Sequence, residues 1–195
     1  AWMAGNKMAK LSRLAAPPLA VLDALSLAAA RAAGTRFEEF KTFDHRVDAL
    51  WPLAARHYPV IARRDFQQLA WRYDAAPQAA EYRRFAMLRG DSLLGWAVLR
   101  RERDVAVLVD HLCEPRWQTA LFAHCLAEAR REGATVVACL ALPRSTRRVL
   151  RALGFVSRPG PRLVVSTNEE VALLSRPENW FLTDGDSDID HGPRR

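Results

Sequence analysis

"YRRFAMLRGDSLLGWAVLRRERDVAVLVDHL", residues 82–112, decides the fold. It strings together β-favouring residues with two breaks, the pair Gly90-Asp91 and the charged triplet 102–104. Breaks this short connect neighbours as hairpins, so the stretch predicts three successive antiparallel strands. The next segment, "PRWQTALFAHCLAEARREGA" (115–134), changes period. Leu121, Phe122, Cys125, Leu126 and Ala129 share one helical face, and Gly133 is a natural stop. "TVVACLAL" (135–142) is then a continuous apolar run, the pattern of a strand covered on both faces. A strand at 104–112, a crossover helix and a strand at 135–142 make a βαβ unit, whose strands run parallel and join right-handedly. The sheet is therefore mixed and mostly antiparallel, an α+β arrangement with one parallel pair and flanking helices.

Upstream, "VDALWPLAARHY" (47–58) and "RRDFQQLAWRYDAAP" (63–77) space their apolar residues at helical intervals and predict two short helices. Residues 37–43 fit either a first strand or the end of a linker. Downstream, "PRSTRRVLRALGF" (143–155) predicts a short basic helix closed by Gly154, and "RLVVS" (162–166) a further strand.

Length and composition bound the partners. With 195 residues, half of them apolar, the chain can bury one ordinary core. A net charge of +7 attracts phosphates, nucleic acid or an anionic membrane in principle. The arginines are scattered, without a stripe of interleaved aromatics, so a solvated basic surface is expected rather than a nucleic-acid binder. Cys113, Cys125 and Cys139 are odd in number and set among apolar residues with no C-x-x-C pair. This predicts buried thiols in a reducing, cytoplasmic compartment, not disulfides or a zinc site. His45, His57, His124 and His191 have no metal-ligand spacing, and no metal is expected.

Residues 1–36 form a basic, Ala/Leu-rich lead-in or linker, expected to be helical and cut from a longer protein. Pro17-Pro18, Asp23 and Arg31 interrupt it, so it supplies neither a clean membrane span nor a secretory signal. Docking on a membrane surface is its alternative role. The domain proper is expected over 37–190, with 191–195 as a tail.

The order of elements resembles the GNAT superfamily of acyl-CoA-dependent N-acyltransferases over about residues 37–190. "RGDSLLGWAVL" (89–99) resembles the family's second hairpin with its internal glycine, here Gly95. "VLRALGF" (149–155) resembles the end of its fourth helix, and "VDHLCEPRWQTALFAHCL" (109–126) stands where its cofactor-binding strand, loop and helix lie. "RRDFQQLAWRYDAAP" together with "ENWFLTDGDSD" is similar to a bacterial subgroup associated with polysaccharide or cell-envelope synthesis, some of whose members join two such halves. The likeness implies a carboxy-terminal half, packing on an amino-terminal half or a second copy. It also implies transfer of an acyl group from acetyl-CoA or another acyl-CoA to a small amine or sugar acceptor.

The family's pyrophosphate loop reads Q/R-x-x-G-x-G/A, where backbone N–H groups and the helix dipole hold the diphosphate. Here it aligns with Gln118, Thr119, Ala120, Leu121, Phe122 and Ala123. Gln118 and Ala123 match. Leu121 replaces a glycine and either obstructs the diphosphate or belongs to the helix's core face. The family's acid, a tyrosine, is Leu150 here. Asp110 and His111 are the candidate bases, sent to opposite faces by strand alternation, with His111 favoured by its ordinary pKa. A backbone N–H near Leu112 would polarise the thioester carbonyl.

The last feature is Asp184, Asp186, Asp188 and Asp190 at every second position. Neither the glycine nor the glutamate of an EF-hand is in place. Two readings stand: a solvated tail, or a segment pinned by Trp180, Phe181 and Leu182 across the cleft mouth. In the second, Asp186 and Asp188 hold a cationic amine or sugar hydroxyls, balanced by Arg64 and Arg72. Trp71, Arg72 and Tyr73 either pack a helix onto the sheet or stack on the acceptor.

Overall fold

The computed structural model describes residues 21, 24–158 and 172–187. Its main sheet has five strands in the order β1-β3-β4-β5-β6: β1 Arg36–Phe40, β3 Tyr82–Arg89, β4 Ser92–Glu102, β5 Val105–Cys113 and β6 Val136–Cys139. All neighbours are antiparallel except β5 and β6, which are parallel. The two hairpin turns fall on the two breaks in the 82–112 stretch, where Gly90 and Arg103 take positive φ of 55° and 57°. A second sheet is a two-residue parallel pairing of β2 (Val60–Ile61) with β7 (Trp180–Phe181).

Helices cover both faces. The crossover helix α3 (Gln118–Arg131) buries Leu121, Phe122, Cys125, Leu126 and Ala129, the face its spacing marks out, against Phe85, Met87, Ala97 and Leu108. On the other face α1 (Arg46–Ala55) buries Val47, Leu50 and Ala54 in a cluster with Trp96, Val98, Val107 and Tyr73. Helix α4 (Arg144–Ala152) turns only Thr146 and Leu150 inward. Residues 37–43 resolve as β1 followed by a turn. Residues 24–32 are helical, and Leu27 and Ala30 join the α3-side core. The strand expected at 162–166 and the tail at 191–195 lie outside the described residues. Among the described residues no helix is long and apolar enough to cross a membrane.

Two irregularities position the site. Val98 pairs with Asp110 but Leu99 with Leu108, so Val109 is an extra residue, a bulge in β5. Pairing between β5 and β6 ends with Leu108 and Cys139. The expected strand over 135–142 is thus shorter, and β5 runs on to Cys113 beside β4 alone. The parallel pair parts there.

Gly95 sits opposite Cys113, where a Cβ would lie 2.7 Å from the Cys113 Cβ and 3.2 Å from the Leu112 carbonyl oxygen. Both neighbours are held in the sheet, so Gly95→Ala should cost about 1–3 kcal/mol through overpacking. Urea unfolding should show a lower midpoint at unchanged slope; an unchanged midpoint would mean that β4 and β5 are not held this closely.

Candidate active site

The site is built from three distant parts of the chain. In the first, Asp65 caps α2 (Phe66–Leu69) by accepting the Gln68 N–H at 3.0 Å. The helix then widens into a π-helical turn over Ala70–Asp74, closed by Ala75 N–H to the Ala70 carbonyl at 2.9 Å. The turn leaves Trp71 66% exposed and Tyr73 fully buried. Arg84 on β3 fixes it by donating to the Tyr73 carbonyl at 2.6 Å and pairing with Asp74 at 3.1 Å.

The second part is the acidic segment. Phe181 is buried on β7 between Tyr58 and His111, with ring centroids 4.4 and 5.2 Å away. Beyond it, Thr183 and Asp186 form a capping box around a 3-10 turn at Asp184–Asp186, the Asp186 carboxylate accepting the Thr183 N–H at 2.8 Å. The segment is thereby folded back onto the protein.

The third part is β5, which brings Asp110. Arg64, 2% exposed, donates from Nε to Asp110 Oδ1 at 3.1 Å and from Nη2 to Asp186 Oδ2 at 2.5 Å. It also donates to Thr183 Oγ1 at 3.1 Å and to the Ala62 carbonyl at 3.0 Å. Asp110 is further held by the Thr183 hydroxyl at 2.9 Å, the Tyr73 hydroxyl at 2.9 Å and the His111 N–H at 2.8 Å. Burial opposes the Arg64 charge, but Asp110 and Asp186 outweigh it and hold its pKa above the ordinary value. Burial raises the Asp186 carboxyl; Arg64 opposes that rise and Asp110 adds to it. Gly185 is required in this packing, because a Cβ there would overlap the Tyr73 hydroxyl and lie 3.0 Å from Asp110 Oδ2.

Beside the cluster is a cavity of about 240 Å³ lined by Arg64, Trp71, Arg72, Tyr73, Asp110 and Asp186, among others. Arg72 closes its rim, donating to the Gly185 and Ser187 carbonyls at 2.9 Å each. All the acceptor-site residues named from the sequence meet here except Asp188, which lies outside the described residues. Thr183 and Gly185 were not singled out, although the T-x-x-D spacing of a capping box was there to be read.

Where β5 and β6 part, the remaining candidates line up differently. His111 turns to the α3 side, edge-on to Phe122 at 4.8 Å, while Asp110 faces Tyr73. Burial, and then Arg64, push the His111 pKa down to about 3, so the ring is neutral at ordinary pH. This removes the advantage that its unperturbed pKa conferred. Leu112 and Leu121 are fully buried, and Leu121 belongs to the α3-side core together with Ala120, Ala123 and Leu150. Thr119 is exposed at the start of the helix, which no side chain caps. Gln118 donates to the Tyr58 hydroxyl at 2.8 Å and to Thr146 at 3.1 Å. Its Oε1 and both His111 ring nitrogens are buried without a hydrogen-bond partner among the described residues. Burial also pushes the Cys113 thiol up, and that of Cys125 to about 12, so neither is a thiolate nucleophile. The described residues contain no group of three or more His, Cys, Asp or Glu side chains suited to a metal.

No family model matches the chain, and no curated protein matches its sequence. Among solved structures, the ribosomal-protein-S18-alanine N-acetyltransferase from Escherichia coli is 18% identical, over 64% of this chain and 79% of its own, with a TM-score of 0.49. An aminoglycoside acetyltransferase from an uncultured soil metagenomic sample, in complex with sisomicin, is 12% identical over 71% of this chain and 99% of its own, also at 0.49. What this chain does is read below from its own residues.

Replacing Arg64 alone leaves the buried Asp110 carboxylate and the partly buried Asp186 carboxylate without their cation. Arg64→Met should destabilise the fold by about 3–5 kcal/mol, measured by urea unfolding; a loss below about 1 kcal/mol would contradict the buried pairing.

His111 gives a pH dependence. Its folded pKa is lowered from 6.5 to about 3, so its contribution is complete above pH 6.5 and is lost as pH falls toward 3. Each unit of pH in that window should cost about 1.4 kcal/mol. His111→Leu should flatten the slope; an unchanged slope would assign it to other groups.

Proposed function

We propose that this chain is an acyltransferase, moving an acyl group, most simply acetyl from acetyl-CoA, onto an amine of a small hydroxyl-rich acceptor such as an amino sugar. The observation that carries the proposal is the parting of β5 from β6. It leaves Asp110 and His111 on the part of β5 that pairs with β4 but no longer with β6, with the arginine- and tryptophan-lined cavity meeting Asp110.

The residues present fit an acyl-CoA. No side chain caps the start of α3, and although the Gln118 N–H already bonds the Pro115 carbonyl, the dipole at the helix start still offers a diphosphate about 0.3–1 kcal/mol of attraction. Leu121 points into the core rather than across that helix start. Gln118 Oε1 and the His111 nitrogens have unused hydrogen-bonding capacity of the kind an amide-bearing arm satisfies. Acyl-CoA, when bound, supplies an activated thioester carbonyl.

The chain's own residues do the rest. Trp71 offers an exposed ring face for a sugar, and Arg64 and Arg72 hold the acidic segment that closes the cavity. Asp186 is the base, because burial raises its pKa and so strengthens its claim on the acceptor's ammonium proton. Asp110 orients it through their shared Arg64. His111, neutral throughout, orients rather than deprotonates. Leu150 brings no hydroxyl; the phenol here belongs to Tyr58, held by Gln118. With no thiolate at Cys113, transfer goes directly to the amine.

A second reading is favoured by one observation: Val109, Asp110, His111, Leu112 and Cys113 are each 3% exposed or less. A domain closed this tightly suits a non-catalytic half that packs on a partner half or a second copy.

Calorimetry with acetyl-CoA separates the two. Saturable binding in the micromolar range supports the enzyme; absence of heat at millimolar ligand overturns it in favour of the scaffold. With amino sugars and aminoglycosides as acceptors and thiol release as readout, Asp186→Asn should lower kcat by about 100-fold or more. Trp71→Ala should instead raise the acceptor KM. Unchanged kcat in the first variant would remove Asp186 as the base.

A further inference from the structure

The basic charge of this chain is concentrated in one place. Between Glu132 and Glu169 the sequence contains six arginines and no Asp or Glu, so this stretch carries almost the whole net charge of +7. Helix α4 displays most of it. With about 100° between successive residues, Arg144, Arg147, Arg148 and Arg151 fall within about 100° of one another, opposite the inward-facing Thr146 and Leu150. All four are exposed. Their i, i+3, i+4, i+7 spacing brings neighbours within reach, here as like charges that repel one another. Arg144 pairs with Glu178 at 3.1 Å, but Arg147, Arg148 and Arg151 have no carboxylate partner among the described residues. Other exposed arginines are neutralised locally, Arg36 by Glu38, Arg63 by Asp65, Arg116 by Glu114 and Arg131 by Glu128. Just past the helix, Val156 is 73% exposed, the most exposed of the large apolar residues described. Phe155, the one aromatic residue between 133 and 158, packs against the core, so no ring is presented there for stacking on bases.

We propose that this face of α4 docks on an anionic lipid bilayer, its guanidiniums meeting lipid phosphates and Val156 entering the interface. The stripe runs about 10 Å along the helix, and a flat array of phosphates offers every arginine a partner at once. The docking is electrostatic and reversible, because the apolar side of α4 stays on the core and does not insert.

The test sediments the full chain with vesicles of equal parts phosphatidylglycerol and phosphatidylcholine, and with vesicles of phosphatidylcholine alone, at about 0.1 M salt. Binding should be confined to the anionic vesicles. It should weaken about fivefold for each arginine removed, so Arg147→Gln with Arg148→Gln should lower it about 25-fold. The melting temperature should not fall in that variant, since like-charge repulsion is relieved. Arg36→Gln with Arg131→Gln removes the same formal charge from other elements and should leave binding within about twofold. A loss equal to that of the α4 variant would reduce the attraction to net charge and overturn the proposal. So would an absence of binding to anionic vesicles, or binding that survives replacement of all four α4 arginines by Gln, which would assign it to residues 1–36. Binding to a short DNA duplex that exceeds vesicle binding at equal phosphate concentration, and is lost in the same variants, would overturn it in favour of nucleic acid. Failure here leaves the acyl-transfer reading intact, because none of the four arginines lines its cavity.

Discussion

A guanidinium sealed from water between two carboxylates is the constraint on which the site depends. Arg64 joins the end of β2, the bulged strand β5 and the acidic segment after β7, and none of the three can shift without uncovering a charge. Such a pairing contributes little net stability compared with apolar packing, since desolvation consumes much of the Coulombic gain. What it does enforce is arrangement. Asp110 accepts from Arg64, Thr183, Tyr73 and the His111 N–H, so each of its oxygens is committed and its direction is fixed.

Backbone irregularity delivers the side chains to that arrangement. The extra residue in β5 re-aims Asp110 toward Tyr73 while His111 faces Phe122. The π-helical turn does the equivalent on the other side, sending Tyr73 inward to the carboxylate and Trp71 outward to the cavity rim. Both devices cost regular hydrogen bonding, and both occur beside the cavity.

The sheet was legible in the sequence because its signals are local. Two short breaks in residues 82–112 give the hairpins, and a change of period from strand to helix gives the crossover. The early end of β6 was not legible, since "TVVACLAL" remains apolar past Cys139 and composition alone does not say where pairing stops. The acidic segment shows the boundary most clearly. Aromatic residues before the acids signalled an anchored terminus, and Arg64 does meet Asp186. The pairing of β2 with β7 rests on two residues from each strand, too few to leave a pattern. The low basicity of His111 was also out of reach, because it follows from burial and the nearness of Arg64, which the fold alone decides.

The parallel pairing of Ile61 with Phe181 has a consequence for the order of assembly. The five-stranded sheet, the crossover helix and both apolar cores apart from Phe181 come from the chain through residue 158, but the carboxylate cluster cannot close until residues 180–187 arrive to neutralise it. Contacts spanning 122 positions, such as that from Arg64 to Asp186, carry a large loop-closure entropy and give local nucleation nothing to build on. The cleft should therefore be the last region to acquire native order during folding and the first to lose it, with the sheet beneath already complete.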